Sequence, residues 1–367
     1  MESMRLSVVD LIKGISIIMI VNAHLISGPF FSIGCTFHVI AFFFASGIIH
    51  GMNQKWETLS LRDFLKRKAF RLLYPYVSLS ICYICSRIIL NFFRGSVIIN
   101  DVITESLVKT ITFRGIGTLW FLPVLFLGEM LFFMLKRSKI CNYIIVVAGI
   151  VIIVISAYLN KNGVCGLVWY GNSSLYGILV NNPLSLLLSS CIAVFFIELG
   201  YLSFQFFPQL FQDSLNNTSK IVALTILCVV SLTIDLFFVK YYTGDLHKLD
   251  IGSPFVYLIC SISGLAFVTT FSIIINCCIR LKYSLLSFWG INSLIIMTTH
   301  SEYFINVIAD SVVKKCFSLF SISHTATFDS GVSLVIIMMI ETGIVVLINH
   351  SFLRFLFSIS PPKERQF

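Results

Sequence analysis

Long apolar runs separated by short polar segments fill almost the whole chain. Because a hydrocarbon core of about 30 Å needs about 20 residues of helix to cross it, runs of roughly 17–25 apolar residues read as membrane spans. They predict ten helices, near 7–27, 36–52, 72–93, 117–135, 140–158, 184–206, 220–239, 254–279, 285–306 and 331–357. No internal repeat is visible. The run that breaks the pattern is the first, where Asp10, Lys13 and His24 lie inside an otherwise apolar helix. A titratable side chain at bilayer depth costs roughly 2.5–3.5 kcal/mol on insertion scales, so such groups normally face a bundle interior or a watery cavity. Lys13 and His24 are 11 residues apart, close to three full turns, so one helix face carries both over roughly 16 Å, with Asp10 beside Lys13.

Composition agrees with the pattern. Of 367 residues, 57% are hydrophobic and only 12% charged, with mean hydropathy +0.94. Soluble domains run near 25% charged. The fold expected is all-α and polytopic, about ten helices around an internal polar cavity, as a single membrane domain over 1–367. Asp10 and Lys13 interrupt any signal-peptide core, so the first helix is expected to be retained. The net charge of +9 does not point to nucleic acid, because the cations sit in short loops between apolar runs. With both termini placed in the cytoplasm, sixteen Lys and Arg fall inside and eight outside, the bias that orients membrane proteins. Eleven cysteines lie mostly within apolar runs and lack a second ligand cluster at metal spacing, so they read as small hydrophobes, with no metal expected.

This orientation puts Lys13 towards the cytoplasm and His24 near the outer end of helix 1. His38, opening the second run, and His300, late in the ninth, fall in the same outer half. The cations of 62–71, including Lys66, Arg67, Lys68 and Arg71, form a belt on the inner face.

Five blocks carry a family likeness. They are Asp10 to His24; Phe37-His38 through Ser46-Gly47; Leu65-Lys66-Arg67-Lys68 through Arg71 to Pro75-Tyr76; Leu119-Trp120-Phe121-Leu122-Pro123; and Gly290-Ile291-Asn292-Ser293-Leu294 followed by His300. In this order and at these depths the chain resembles the membrane-bound acyltransferase-3 family, whose members commonly O-acetylate bacterial surface sugars. The resemblance runs from about 5 to 357. It implies a multi-pass protein of the bacterial inner membrane, with Trp120, Ser293 and His300 at the substrate site. Lys13 stands where many members carry arginine, Val39-Ile40 where Met-Pro is usual, and Met297 where a tyrosine is common. Lysine keeps the charge but cannot form a planar bidentate fork.

The residues themselves suit acyl transfer. A cytoplasmic thioester such as acetyl-CoA carries several phosphate charges, which Lys13 and the 62–71 cluster would attract. It enters as a substrate; no bound cofactor is called for. A sugar hydroxyl is a poor nucleophile at neutral pH, and a positioned imidazole taking its proton contributes roughly 10²–10⁴-fold. His24 is the expected base, with His38 beside it and Asp10 completing the polar stripe. Plainer roles stand next to these. A membrane histidine also serves to hydrogen-bond a neighbouring helix, Lys13 also pairs with Asp10 at i, i+3, and the basic cluster also anchors topology or contacts anionic membrane lipids. The carboxylates Glu129, Glu198, Asp235, Glu302 and Glu341 need partners, and one of them is a candidate to orient His24. The expected reaction moves acetyl to a hydroxyl of a surface or lipid-linked glycan. A glycan transporter or flippase is the alternative; it would show repeats and Gly/Pro-broken helices in matching halves. A glycan polymerase would need a long external loop. Acceptor choice is expected in outer loops such as Trp169 to Asn172.

Overall fold

The computed structural model describes residues 7–25, 31–94, 99–165, 180–211, 218–279, 284–301, 305–319 and 325–359. Arg5, Glu302, Arg280, Lys282, Lys363, Arg365 and the loop Trp169 to Asn172 lie outside them. The described residues are helical, with a single isolated bridge, Asp245 to Asp250, in place of any strand. The helices in chain order are α1 (Ser7–Ala23), α2 (Phe31–Phe37), α3 (Ile40–Met52), α4 (Leu61–Lys68), α5 (Tyr74–Arg94), α6 (Ile99–Ile111), α7 (Phe121–Arg137) and α8 (Asn142–Lys161). They continue as α9 (Asn182–Phe206), α10 (Thr218–Phe238), α11 (Pro254–Ile279), α12 (Leu285–Ile291), α13 (Ser293–Thr299), α14 (Ile305–Leu319) and α15 (Ala326–His350). The protein is an all-α, multi-pass membrane protein.

The expected count of ten spans needs correction. Among the described residues seven helices are long and apolar enough to cross a membrane: Leu61–Ile89, Gly117–Arg137, Asn142–Lys161, Asn182–Phe206, Thr218–Tyr241, Pro254–Cys277 and Ala326–His350. The other three runs fold differently. The first is a 17-residue helix, the second breaks between α2 and α3 at His38, and the ninth breaks between α12 and α13 at Asn292. Broken helices survive at membrane depth only where neighbours re-satisfy the freed backbone. At Asn292 the break is capped by its own residue, whose N–H and Nδ2 both donate to the Phe288 carbonyl, at 3.1 and 2.8 Å, and Asn349 of α15 holds its side chain by donating to Oδ1 at 2.9 Å. Two expected loops also hold helices: α6 lies within 94–116, and α14 begins at Ile305 and fills much of 307–330.

Burial separates an inner set of helices from an outer one. On α8 only Ile145, Gly149, Ile153 and Ser156 are buried, and on α10 only Leu224, Cys228, Ser231 and Asp235, a single stripe at helical spacing on each. Their other faces expose Val147, Val151, Val154, Val229 and Phe237. An apolar surface of that extent belongs in lipid. By contrast α1 is buried on all sides, with only Lys13, Ile18, Met19 and Ala23 of its residues partly accessible. It packs on α2, α3, α11, α12, α13 and α15.

Two glycine crossings fix the inner helices. A Cβ on Gly14 would lie 2.0 Å from the Leu286 carbonyl oxygen, and one on Gly290 would lie 1.8 Å from that of Asp10, so α1 and α12 cross backbone to backbone. Gly47 and Gly200 do the same for α3 and α9, where added Cβ atoms would stand 1.9 Å from the Ile197 oxygen and 2.0 Å from the Phe44 oxygen. Small residues at membrane helix crossings permit this approach. The first crossing sets the broken segment Ile291 to Ser293 against Asp10 and Lys13.

Candidate active site

Two cavities lie along α1. The first, about 600 Å³, is lined by His24 and Ile20 of α1, His38, Trp120 and residues of the loop between α10 and α11. The second, about 450 Å³, is lined by Asp10, Lys13, Lys68, Arg71, Glu129 and the segment Gly290 to Ile295. The face carrying Lys13 and His24 therefore opens into a cationic chamber at one end and a histidine chamber at the other.

In the histidine chamber the ring tautomers follow from the backbone. His24 Nδ1 lies 2.8 Å from the Ile20 carbonyl and His38 Nδ1 lies 2.8 Å from that of Gly34. A carbonyl oxygen only accepts, so each Nδ1 carries a proton, and in the neutral ring the lone pair is on Nε2. His300 is fully buried, donates Nδ1–H to the Ile296 carbonyl at 2.7 Å, and offers its Nε2 to His24 Nδ1–H at 3.3 Å, with the rings edge to face at 4.9 Å. His300 therefore stands behind His24 and does not line the cavity. Its lone pair helps hold the His24 proton on Nδ1 and leaves Nε2 free of the backbone. No described carboxylate takes the orienting place beside His24. Glu198 pairs with Lys136 at 2.7 Å, Asp235 accepts from Thr36 at 3.1 Å, Glu341 accepts from Thr299 at 2.6 Å, and Glu129 belongs to the other chamber.

The opposite wall of this chamber is a loop. Trp120 stacks on His247, ring centroids 5.0 Å apart and 14° from parallel. The loop is closed by paired backbone bonds between Asp245 and Asp250, at 2.7 and 2.9 Å, and Asp245 Oδ1 accepts from the His247 N–H at 3.0 Å. Burial pushes the His247 imidazole down to about 4, against the pull of Asp245 and with the help of Arg114, Lys248 and Lys109.

The cationic chamber is built on a defect. Pro75 has no N–H to continue the α-helical ladder, and the chain before it forms a π-turn over Ala69–Leu73, with the Tyr74 N–H reaching back to the Ala69 carbonyl. Arg71 lies in that turn. One turn earlier, Lys68 donates to Glu129 at 2.8 Å, and His50 and Ser46 donate to the same buried carboxylate in short hydrogen bonds. The segment Phe352–Phe357 closes the far side, tied down by Ser78 Oγ to the Leu356 carbonyl at 2.7 Å and Ser358 Oγ to that of Phe70 at 2.6 Å. Ser293 is on the chamber wall. Lys66 and Arg67 are not; both are exposed and line neither cavity.

A family model described as an acyltransferase domain matches residues 6–348, nearly the whole chain. The chain belongs to the acyltransferase-3 family. It is an acyltransferase, and its activity needs an acyl donor and an acceptor. No curated protein and no solved structure matches it. Within this acyltransferase the residues singled out from sequence divide by chamber: Asp10, Lys13, Arg71 and Ser293 on the cationic one, His24, His38 and Trp120 on the other. Asn292, Tyr242, Asp245 and His247 were not singled out as site residues. Within the basic cluster Lys68 lies at i+4 from Phe64, the buried residue of α4, and lines the chamber, whereas Lys66 falls on the opposite side of that helix. For the loop the only signal was its density of polar residues between two apolar runs.

Proposed function

We propose that this acyltransferase moves an acetyl group from cytoplasmic acetyl-CoA to a hydroxyl of a surface or lipid-linked glycan at the bacterial inner membrane. The observation that carries the reading is the pair of chambers on one helix. Lys13, Lys68 and Arg71 supply the cations that donor phosphates need, and His24 supplies an imidazole at the other end of α1, its Nδ1 committed to the backbone. In this reading the cationic chamber faces the cytoplasm, as the distribution of Lys and Arg favours. The whole chain serves as one catalytic domain.

The chemistry is a direct exchange. His24 Nε2 takes the proton of the acceptor hydroxyl as its oxygen attacks the thioester carbonyl; the C–O bond forms, the C–S bond breaks, and the proton passes to the leaving thiolate. His300 steadies the transient imidazolium through the Nδ1 contact. His38 lies on the same wall and holds a second neutral acceptor for the hydroxyl. Trp120 and the 243–252 loop offer an aromatic and polar surface suited to a sugar.

The test incubates purified protein with labelled acetyl-CoA and candidate glycans. Label on the sugar is expected, and His24→Ala is expected to lose it by roughly 10²–10⁴-fold while remaining inserted. Glycan movement without label would make the protein a transporter, and retained transfer in His24→Ala would remove that residue from the mechanism.

A further inference from the structure

Among the described residues only Phe121 and Met297 line both chambers, so these two side chains form the partition between them. Both are buried, 6% and 5% exposed. The Phe121 ring is held in place by stacking on Phe43, 5.1 Å away at 21°, and by an edge contact with Phe42 at 5.8 Å. Met297 sits on α13, just beyond the Asn292 break. Its backbone is pinned by Thr118, whose hydroxyl donates to the Met297 carbonyl at 2.8 Å. One side of the partition is thus a fixed aromatic face and the other an unbranched thioether with several rotatable bonds, which adapts its shape at low cost.

Neither side chain donates or accepts a strong hydrogen bond, so the partition discriminates by size and by polarity alone. A donor whose phosphates rest among Lys13, Lys68 and Arg71 must bring its thioester carbon past this point to meet His24. We infer that Phe121 and Met297 determine which acyl group the enzyme transfers: the acyl group packs between them as the carbonyl meets the acceptor, a small one fits, and a larger one is rejected. The same pair keeps water of the histidine chamber off the thioester. This rests on the two-chamber reading above and adds to it the residues that select the acyl group. A hydrophobic pocket discriminates roughly 10–200-fold per methylene, so truncating one wall should have an effect of that order.

The experiment compares transfer from acetyl-, butyryl- and isobutyryl-CoA, together with CoA release in the absence of acceptor. Wild-type protein is expected to favour acetyl. Met297→Ala is expected to raise the butyryl-to-acetyl ratio by roughly tenfold or more and to increase CoA release without acceptor. Met297→Trp, which fills the gap, is expected to lose transfer while CoA still protects the protein against thermal unfolding. Should Met297→Ala not survive extraction, Met297→Val and Phe121→Leu read the same ratio with most of the packing kept. An unchanged ratio and unchanged CoA release in active variants, or normal transfer by Met297→Trp, would overturn the inference and leave acetyl transfer intact. If wild-type protein transfers no acyl group from any thioester, it is the two-chamber reading that fails.

Discussion

Substituting alanine for Gly14 or Gly290 should damage the site without touching any polar group in it. Ordinary van der Waals contact to an added Cβ begins near 3.4 Å, whereas the new atoms would stand 2.0 Å from the Leu286 oxygen and 1.8 Å from the Asp10 oxygen. Both obstacles are backbone, so no side chain can swing away, and α1 and α12 must separate by about 1.4–1.6 Å. Overpacking of this kind typically costs about 1–3 kcal/mol. The larger effect falls on activity. Asp10 and Lys13 are on one side of the crossing and Ile291, Asn292 and Ser293 on the other, all around the cationic chamber. A misplacement of about 1 Å can cost on the order of 10²-fold in rate. Acyl-transfer kinetics with varied donor, read beside thermal unfolding in detergent, should therefore show Gly14→Ala and Gly290→Ala down by about that factor. The control is internal. Added Cβ atoms at Gly331 and Gly343 of α15 meet nothing within 4 Å, and a helix-interior Gly→Ala there should be stabilising by about 0.5–1 kcal/mol with activity unchanged. Wild-type kinetics in Gly14→Ala, or equal losses in the Gly343→Ala control, would refute the account of the crossing as the element that registers the chamber.

Three further outcomes are expected. Lys68→Gln and Arg71→Gln should each raise the KM for the donor by roughly ten- to hundredfold, the value of one charged hydrogen bond, whereas Lys66→Gln and Arg67→Gln should leave it nearly unchanged; steady-state kinetics over donor concentration decides. Glu129→Ala should lower stability by about 3–5 kcal/mol, because Lys68 and His50 lose their shared buried carboxylate, and pairing it with Lys68→Met should recover part of the loss in thermal unfolding. His247 is held neutral in the folded loop, so the stability it contributes is complete above its ordinary pKa of 6.5 and is lost as pH falls from there towards about 4, where a charged ring would also face Arg114, Lys248 and Lys109; Trp120 emission followed by pH titration should show this, and His247→Phe should flatten the profile.

What was legible in the chain was whatever a single helix encodes. The 11-residue spacing from Lys13 to His24 fixes their shared face before any neighbour is placed, and the two ends of that face do open into different chambers. Within 62–71 the same logic separates Lys68, at i+4 from the buried Phe64, from Lys66 on the far side, but it leaves Arg67, at i+3 from Phe64, with Lys68; that Arg67 stays exposed depends on how α4 packs.

The parts that were not legible depend on contacts between distant elements. A hydropathy average over 285–306 cannot see that Asn292 ends one helix and starts another, because what holds that residue is its own amide on Phe288 and a bond from Asn349, 57 residues on. Nothing near His247 in the chain foretells that it lies flat on Trp120, or that His300 rests against His24 across 276 residues. The last case also changes a role. A histidine trailing the glycine-asparagine-serine segment reads as another substrate contact, yet its Nδ1 is committed to the Ile296 carbonyl and its Nε2 faces an imidazole. With both nitrogens engaged, it has no atom left for a substrate. With His24 as the base proposed above, this geometry suits His300 to positioning that ring, and His300→Ala is then expected to weaken transfer without abolishing it, a loss in kcat smaller than that of His24→Ala with the donor KM unmoved.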